Sequence, residues 1–69
     1  MYYNFYAVKI KQIKNWFDQW GIVLEINKID QGEAKNGYQL FNTHNNKKVF
    51  LNKQDFRKLK VEEIIKKVK

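Results

Sequence analysis

The chain has 69 residues, no cysteine and a formal net charge of +7 at pH 7. A chain of this length buries only a small core, and without cysteine neither disulfides nor thiolate zinc sites can stabilise it. Aromatic residues make up 16% of the sequence, so large rings must supply much of the core. No apolar run approaches the roughly 20 residues of a membrane span, and we expect one compact basic domain, residues 1–69, in the cytoplasm.

The first predicted element is an amphipathic helix. The apolar positions recur at the 4-3-4-3 spacing of one helix face: Tyr6, Ile10, Ile13, Phe17 and Trp20. Gly21 suits the left-handed residue after a helix and Ile22 its apolar neighbour, which predicts a Schellman-type end. At the other end, Asn4 can cap a helix that begins at Phe5. The strand propensity of the first residues instead favours an extended or loosely helical entry up to about Ala7, followed by helix to Trp20.

Three short strands are predicted next. Apolar and polar residues alternate within 21–30, which is typical of a strand with one buried face. Residues 30–37 are polar and bounded by glycine, which predicts a loop. Segments 38–43 and 47–52 are two further strands, and Asn45–Asn46 suits a tight primed turn between them. Consecutive strands with short links form an antiparallel meander.

The last segment opens with Asn52 as an N-cap and Asp55 three residues later. Its apolar arc is too wide for one straight, exposed helix. Either the helix bends near Lys60, or a second helix starts at Val61 with acidic residues in its first turn, where the helix dipole favours them. The sequence therefore predicts an α+β fold, α-β-β-β-α, with a three-stranded antiparallel meander and two helices on one face.

Residue types that carry catalysis or metal binding are sparse. His44 is the only histidine, lies in a predicted turn and has no second histidine or cysteine as a partner, so no metal site is expected. Thr43 stands beside it, but neighbouring strand residues point to opposite faces and form no nucleophile–base pair. The polar loop matches no phosphate-binding glycine motif. We expect no enzyme and no cofactor.

Basic residues interleaved with aromatic ones are the candidate nucleic-acid site. Two flank the predicted hairpin turn and four open the last helical segment: Lys47, Lys48, Lys53, Arg57, Lys58 and Lys60. A hairpin tip beside a helix N-terminus would present ammonium groups together with free backbone N–H groups. Arg57 is the only arginine, which disfavours bidentate base reading and predicts sequence-independent lysine contacts with the phosphates of a duplex.

Two simpler explanations of the charge remain open. It can belong to a solvated surface, and the abundance of Lys, Asn and Ile is also what AT-rich codon usage produces. The basic tail, Lys66, Lys67 and Lys69, is explained equally well by the preference of a helix C-terminus for cations.

Aromatic residues outside the helical stripe support a second interpretation. Tyr2 and Tyr3 lie at the start of the chain and Trp16 at the border of the stripe. Exposed rings of this kind anchor protein interfaces or stack on bases. The alternative function is a small protein-binding inhibitor or regulator of the type that phages and other mobile elements encode. Its target would be an acidic surface of a nucleic-acid-processing enzyme.

The predicted order of elements in a small basic chain resembles that of the double-stranded-RNA-binding domain. The segment NKQDFRKLK (52–60) is similar in charge to the lysine-rich motif at the start of that family's last helix, which implies duplex RNA as a partner. That family's strand-linking loop is absent. HicA-type RNA-cleaving toxins share the layout but use a histidine in the second strand, where this chain has GYQLF (37–41). Their activity is therefore not implied.

Overall fold

A computed structural model describes residues 4–30 and 36–69. The elements are α1 (Phe5–Gln19), β1 (Leu24–Ile29), β2 (Gly37–Asn42), β3 (Lys47–Asn52), α2 (Lys53–Lys58) and α3 (Val61–Val68). The predicted α+β order is confirmed. Tyr2, Tyr3 and most of the predicted loop at 30–37 lie outside the described residues. No helix among the described residues is long and apolar enough to cross a membrane.

Both ends of α1 are fixed by local hydrogen bonds. The Asn4 side chain accepts the backbone N–H groups of Tyr6 (3.0 Å) and Ala7 (3.2 Å), so the helix begins at Phe5. The Asn4 cap is confirmed, and an extended entry up to Ala7 is wrong. A capping side chain outweighs the strand propensity of the first residues. At the other end Gly21 has a φ of 71° and Ile22 donates its N–H to the Phe17 carbonyl at 2.9 Å. The predicted Schellman end is confirmed.

The three strands form one antiparallel sheet in the order β1-β2-β3. Leu40 in the central strand pairs with Ile26 on one side and Val49 on the other. Because side chains alternate between the faces of a strand, these three residues share the face that the helices cover. The opposite face carries the residues between them, including Gln39 and Phe41.

The turn between β2 and β3 has four residues, 43–46, and the predicted two-residue primed turn is wrong. In this turn only Asn46 has a positive φ, 62°, and its N–H donates to the Asn42 carbonyl at 2.8 Å. A primed turn of type I′ needs a positive φ at both central residues.

The last segment consists of two helices, which confirms the second of the two predicted alternatives. Asn52 caps α2 by accepting the N–H of Asp55 at 2.7 Å. Leu59 and Lys60 are extended, with ψ of 139° and 156°, and separate α2 from α3. The carboxylate of Glu63 then accepts the Lys60 N–H at 3.1 Å and stabilises the start of α3. The chain reverses here, so α3 runs back across the sheet.

The core lies between the helices and the sheet. Its buried apolar residues are Ile13, Phe17, Leu24, Tyr38, Leu40, Leu51, Phe56, Ile64, Ile65 and Val68. The rings of Tyr38 and Phe56 are 4.6 Å apart at their centroids, and Tyr6 stacks on both. Trp20 was expected in the buried stripe, but 42% of it remains exposed. Trp20 is the C-cap residue that follows α1, so its ring lies at the edge of the core.

Candidate nucleic-acid interface

The six predicted phosphate-contacting residues do not lie together. β3 runs from Lys47 to Asn52, and α2 begins at the next residue, Lys53. At about 3.4 Å per residue, the strand separates Lys47 from Lys53 by about 20 Å. The hairpin turn and the start of α2 therefore lie at opposite ends of the sheet, and the prediction that they are neighbours is wrong.

The C-terminus of α3 lies beside the hairpin turn instead. Asn42 is buried at the end of β2, and its side-chain amide donates to the Val68 carbonyl at 2.9 Å. Its side-chain oxygen accepts the His44 N–H, also at 2.9 Å. Both halves of this amide are thus used, which ties the turn to the last residues of the chain.

This link brings the basic tail to the hairpin. We call the resulting group the hairpin cluster: Lys47, Lys48, Lys66, Lys67 and Lys69, all of which are exposed. Two elements far apart in sequence, β3 and α3, supply it. The sequence contained a signal for it, because a helix that follows the last strand of a meander must return toward the turn that precedes that strand. Lys66 and Lys67 also lie in the last turn of α3, where the helix dipole favours cations.

Two exposed tryptophans lie next to the hairpin cluster. Trp16 and Trp20 are 47% and 42% exposed, and their ring centroids are 6.1 Å apart. The Lys69 ammonium nitrogen lies 4.5 Å from the Trp20 ring centroid, within cation–π range. A shallow groove of about 290 Å³ runs between α1 and α3, lined by Trp16, Trp20, Glu62, Ile65, Lys66 and Lys69. We call it the tryptophan groove.

At the opposite end, a buried lysine, Lys9, stabilises α2. Lys9 points its ammonium group at the carbonyl oxygens of Leu59 and Arg57, the latter at 3.2 Å. The rings of Phe5 and Phe56 lie 5.5 and 5.6 Å from the same nitrogen. Burial lowers the pKa of the Lys9 ammonium, and the Glu63 carboxylate partly opposes this shift. Lys9 therefore caps the C-terminus of α2 and is not available to a ligand.

The basic residues around α2 form the second group, the α2 end: Lys53, Arg57, Lys58 and Lys60. Lys53 is half-buried, with its ammonium nitrogen 5.2 Å from the Tyr6 ring centroid. Arg57 and Lys58 occupy the last turn of α2, where the helix dipole favours cations. The N–H of Lys53 donates to the Asn36 carbonyl at 2.9 Å. Since the Asp55 N–H is also used, the expected set of free N–H groups at the start of α2 is reduced.

His44 is exposed in the hairpin turn. Within 4–30 and 36–69 no group of three or more His, Cys, Asp or Glu residues can hold a metal ion. Comparisons of the chain with protein-family profiles, curated proteins and solved structures find no match.

Proposed function

We propose that the chain is a small non-enzymatic module that binds nucleic acid, mainly through lysine contacts with the phosphate backbone. The observation that carries this proposal is the hairpin cluster. Its five exposed lysines come from β3, α3 and the residue after α3, and lie at one end of the sheet, with Lys48 on the sheet face opposite to the helices. A Lys ammonium is a compact point charge that approaches phosphate without reading bases. The cluster thus supports binding to duplexes of any sequence, with the α2 end as a secondary contact.

The physical driving force would be the release of counterions from the nucleic acid. Each phosphate that a lysine neutralises lowers the slope of log K against log salt by about 0.9 on a duplex. Five contacts predict a slope of about −4.5. The tail lysines sit at a helix C-terminus that is held against the sheet by Asn42, so their positions are partly fixed before binding.

A salt titration tests the proposal directly. Binding of the chain to two labelled DNA duplexes of unrelated sequence would be measured by fluorescence anisotropy across a range of salt concentrations. We expect a steep slope near −4.5 and similar affinities for both sequences. A slope near zero, or no binding to either duplex at low salt, would contradict the proposal.

The tryptophan groove favours a second candidate function, a protein-binding inhibitor or regulator. Exposed tryptophans are frequent anchors of protein interfaces. Lys66 and Lys69 at the groove suit an acidic partner, such as an acidic surface of a nucleic-acid-processing enzyme. Capture from a nuclease-treated lysate separates the two candidates. A partner that persists after nuclease treatment and is lost with Trp16→Ala supports this second function, whereas loss of every partner with the nucleic acid rejects it.

A further inference from the structure

The face of the sheet that points away from the helices has an unusual composition. Strand alternation and the observed register place on it Asn27 from β1, Gln39 and Phe41 from β2, and Lys48 and Phe50 from β3. We call this surface the open face. A small domain with a limited core needs its large rings in the interior. Phe41 and Phe50 nevertheless lie on the uncovered side of the sheet.

Both rings are held in defined positions. Phe50 is 41% exposed, and its ring occupies the space that a Cβ at Gly37 would need. The absence of a side chain at Gly37 therefore allows the ring to rest against the backbone. Phe41 pairs with Lys48, and Gln39 pairs with Phe50, so the backbone positions of the two phenylalanines are diagonal neighbours on adjacent strands, about 7–8 Å apart. From its position the Phe50 ring leans toward Gly37, away from Phe41.

Polar groups surround the two rings in an ordered way. Asn27 and Gln39 are directly paired across β1 and β2, which puts two amide side chains side by side. The Lys48 ammonium nitrogen lies 5.6 Å from the Phe41 ring centroid, at the β3 edge. Glu25 is paired with Phe41 on the other side, at the β1 edge. The cation and the acid thus occupy opposite edges of the open face.

We propose that the open face binds a single-stranded segment of nucleic acid, an inference that rests on the proposed function and extends it from duplexes to unpaired strands. Two neighbouring bases would stack on Phe41 and Phe50, as unpaired bases do on aromatic side chains. The amides of Asn27 and Gln39 would donate to and accept from base edges. The phosphates would follow the β3 edge, past Lys48 and toward the hairpin turn, and away from Glu25.

Charge complementarity favours nucleic acid over a protein at this face. The formal net charge of +7 and Lys48 at the β3 edge attract a polyanion, and the paired amides offer both donors and acceptors to base edges. A duplex keeps its bases stacked inside and has no ring face to offer Phe41 or Phe50. Only an unpaired strand can stack on these rings. Single-strand binding therefore tests this proposal separately from duplex binding.

The experiment compares a labelled oligothymidylate with a labelled duplex of matched length, using the full chain and anisotropy at low salt. Phe50→Leu keeps an apolar side chain but removes the ring, and Phe50→Tyr keeps the ring. Phe5→Leu is the matched control, because Phe5 is 40% exposed on α1, on the other side of the molecule. We expect Phe50→Leu to weaken single-strand binding at least about fivefold, with duplex binding unchanged within twofold.

The other variants complete the expected pattern. Phe50→Tyr should restore the single-strand affinity, and Phe5→Leu should leave it unchanged. Equal single-strand affinities for Phe50→Leu and Phe5→Leu would overturn the inference while leaving the proposed function intact. No binding to either oligonucleotide would overturn both.

A measurement on the unmodified chain covers the case in which Phe50→Leu fails to fold. Amide NMR resonances of Gln39, Phe41 and Phe50 should shift when oligothymidylate is added, while those of α1 stay in place. Shifts confined to residues of the helices would overturn the inference. The open face would then contact a protein partner or solvent.

Discussion

The two basic ends of the sheet use their lysines in different ways. At the α2 end, Lys9 is buried against backbone carbonyls and Lys53 rests on the Tyr6 ring, so part of the charge there maintains the fold. At the hairpin end, five lysines are exposed, and the scaffold beneath them is held by one buried amide, Asn42. Net charge alone does not separate these roles. The contacts of each ammonium group do.

Removing equal charge from each end is the most direct test of this difference between the two ends. One variant replaces Lys47, Lys48, Lys66 and Lys67 with Gln, and the other replaces Lys53, Arg57, Lys58 and Lys60 with Gln. We expect the first to flatten the duplex salt slope by about 3.6, since each lost phosphate contact removes about 0.9. At 0.1 M salt this amounts to a loss of affinity of more than about 1,000-fold.

The α2-end variant should flatten the slope by no more than about 2.7 units, because Lys53 is half-buried with its ammonium group on the Tyr6 ring and only the other three cations are exposed. The two variants remove the same formal charge, so a general charge effect would alter both slopes equally. Equal slopes, or a larger change in the α2-end variant, would reverse the assignment of the interface.

The next largest effect concerns Lys9. Lys9→Met keeps the aliphatic stem but leaves the carbonyls of Arg57 and Leu59 without their donor, and a buried unpaired acceptor costs about 1–3 kcal/mol. We expect a loss of about 2–3 kcal/mol in the free energy of unfolding, measured by urea denaturation, with the duplex salt slope unchanged. The matched control is Lys11→Met, on the exposed side of the same helix, which should change stability by less than about 0.5 kcal/mol.

If the Lys9→Met protein is as stable as the original chain, the free-energy cost of burying the ammonium group equals the stabilisation from its hydrogen bonds to the carbonyls. A change in salt slope would instead place Lys9 in the interface. Either result would remove the distinction between structural and exposed charge at the α2 end.

Asn42 provides the corresponding test at the hairpin end. Asn42→Ala removes the donor to the Val68 carbonyl and the acceptor of the His44 N–H. We expect a loss of about 2 kcal/mol in the free energy of unfolding and faster amide hydrogen exchange in the last turn of α3. Asn45→Ala, in the same turn, removes only an exposed acceptor of the Lys47 N–H and should cost less than about 1 kcal/mol. Similar losses for the two variants would mean that the buried amide does not hold the tail.

Local chemistry explains which features the sequence predicted well. The Schellman end at Gly21, the Asn52 cap and the second helix at Val61 each depend on residues within one helical turn of one another. The burial of Lys9 had a local signal too, since Lys9, Ile13 and Phe17 recur every four residues on one side of α1. The carbonyls that accept from Lys9 are 48 and 50 residues away, so the sequence pattern did not reveal them.

The arrangement of the candidate site needed the topology. The predicted six residues were selected by proximity in sequence, and β3 places them at two ends of the sheet. The hairpin cluster depends on the contact between Asn42 and Val68, which are 26 residues apart. Neither residue has a type or spacing that predicts such a bond. The composition of the open face depends on the strand register, which makes Phe41 and Phe50 diagonal neighbours on adjacent strands.

The smallest expected effect concerns the ring stack of the α2 end at alkaline pH. Burial, with a smaller contribution from Tyr6, raises the pKa of the Tyr38 hydroxyl above its ordinary value of 10.0. The folded chain therefore holds this proton more tightly than the unfolded chain does. The stability that results is complete below pH 10 and is lost as pH rises through the folded-state pKa, by at most about 1.4 kcal/mol per pH unit.

Tyr38→Phe removes this titration and keeps the ring that packs on Phe56. The difference in unfolding free energy between this variant and the original chain should be constant from pH 8 to about pH 10 and should move in favour of the variant above it. Taking the difference cancels the titration of the lysines, which both proteins share. If the two urea-denaturation series stay parallel up to pH 11, Tyr38 ionises as easily in the folded chain as in the unfolded one. The ring stack at the α2 end would then be open to water, and the contrast between a structural end and an exposed end would rest on Lys9 alone.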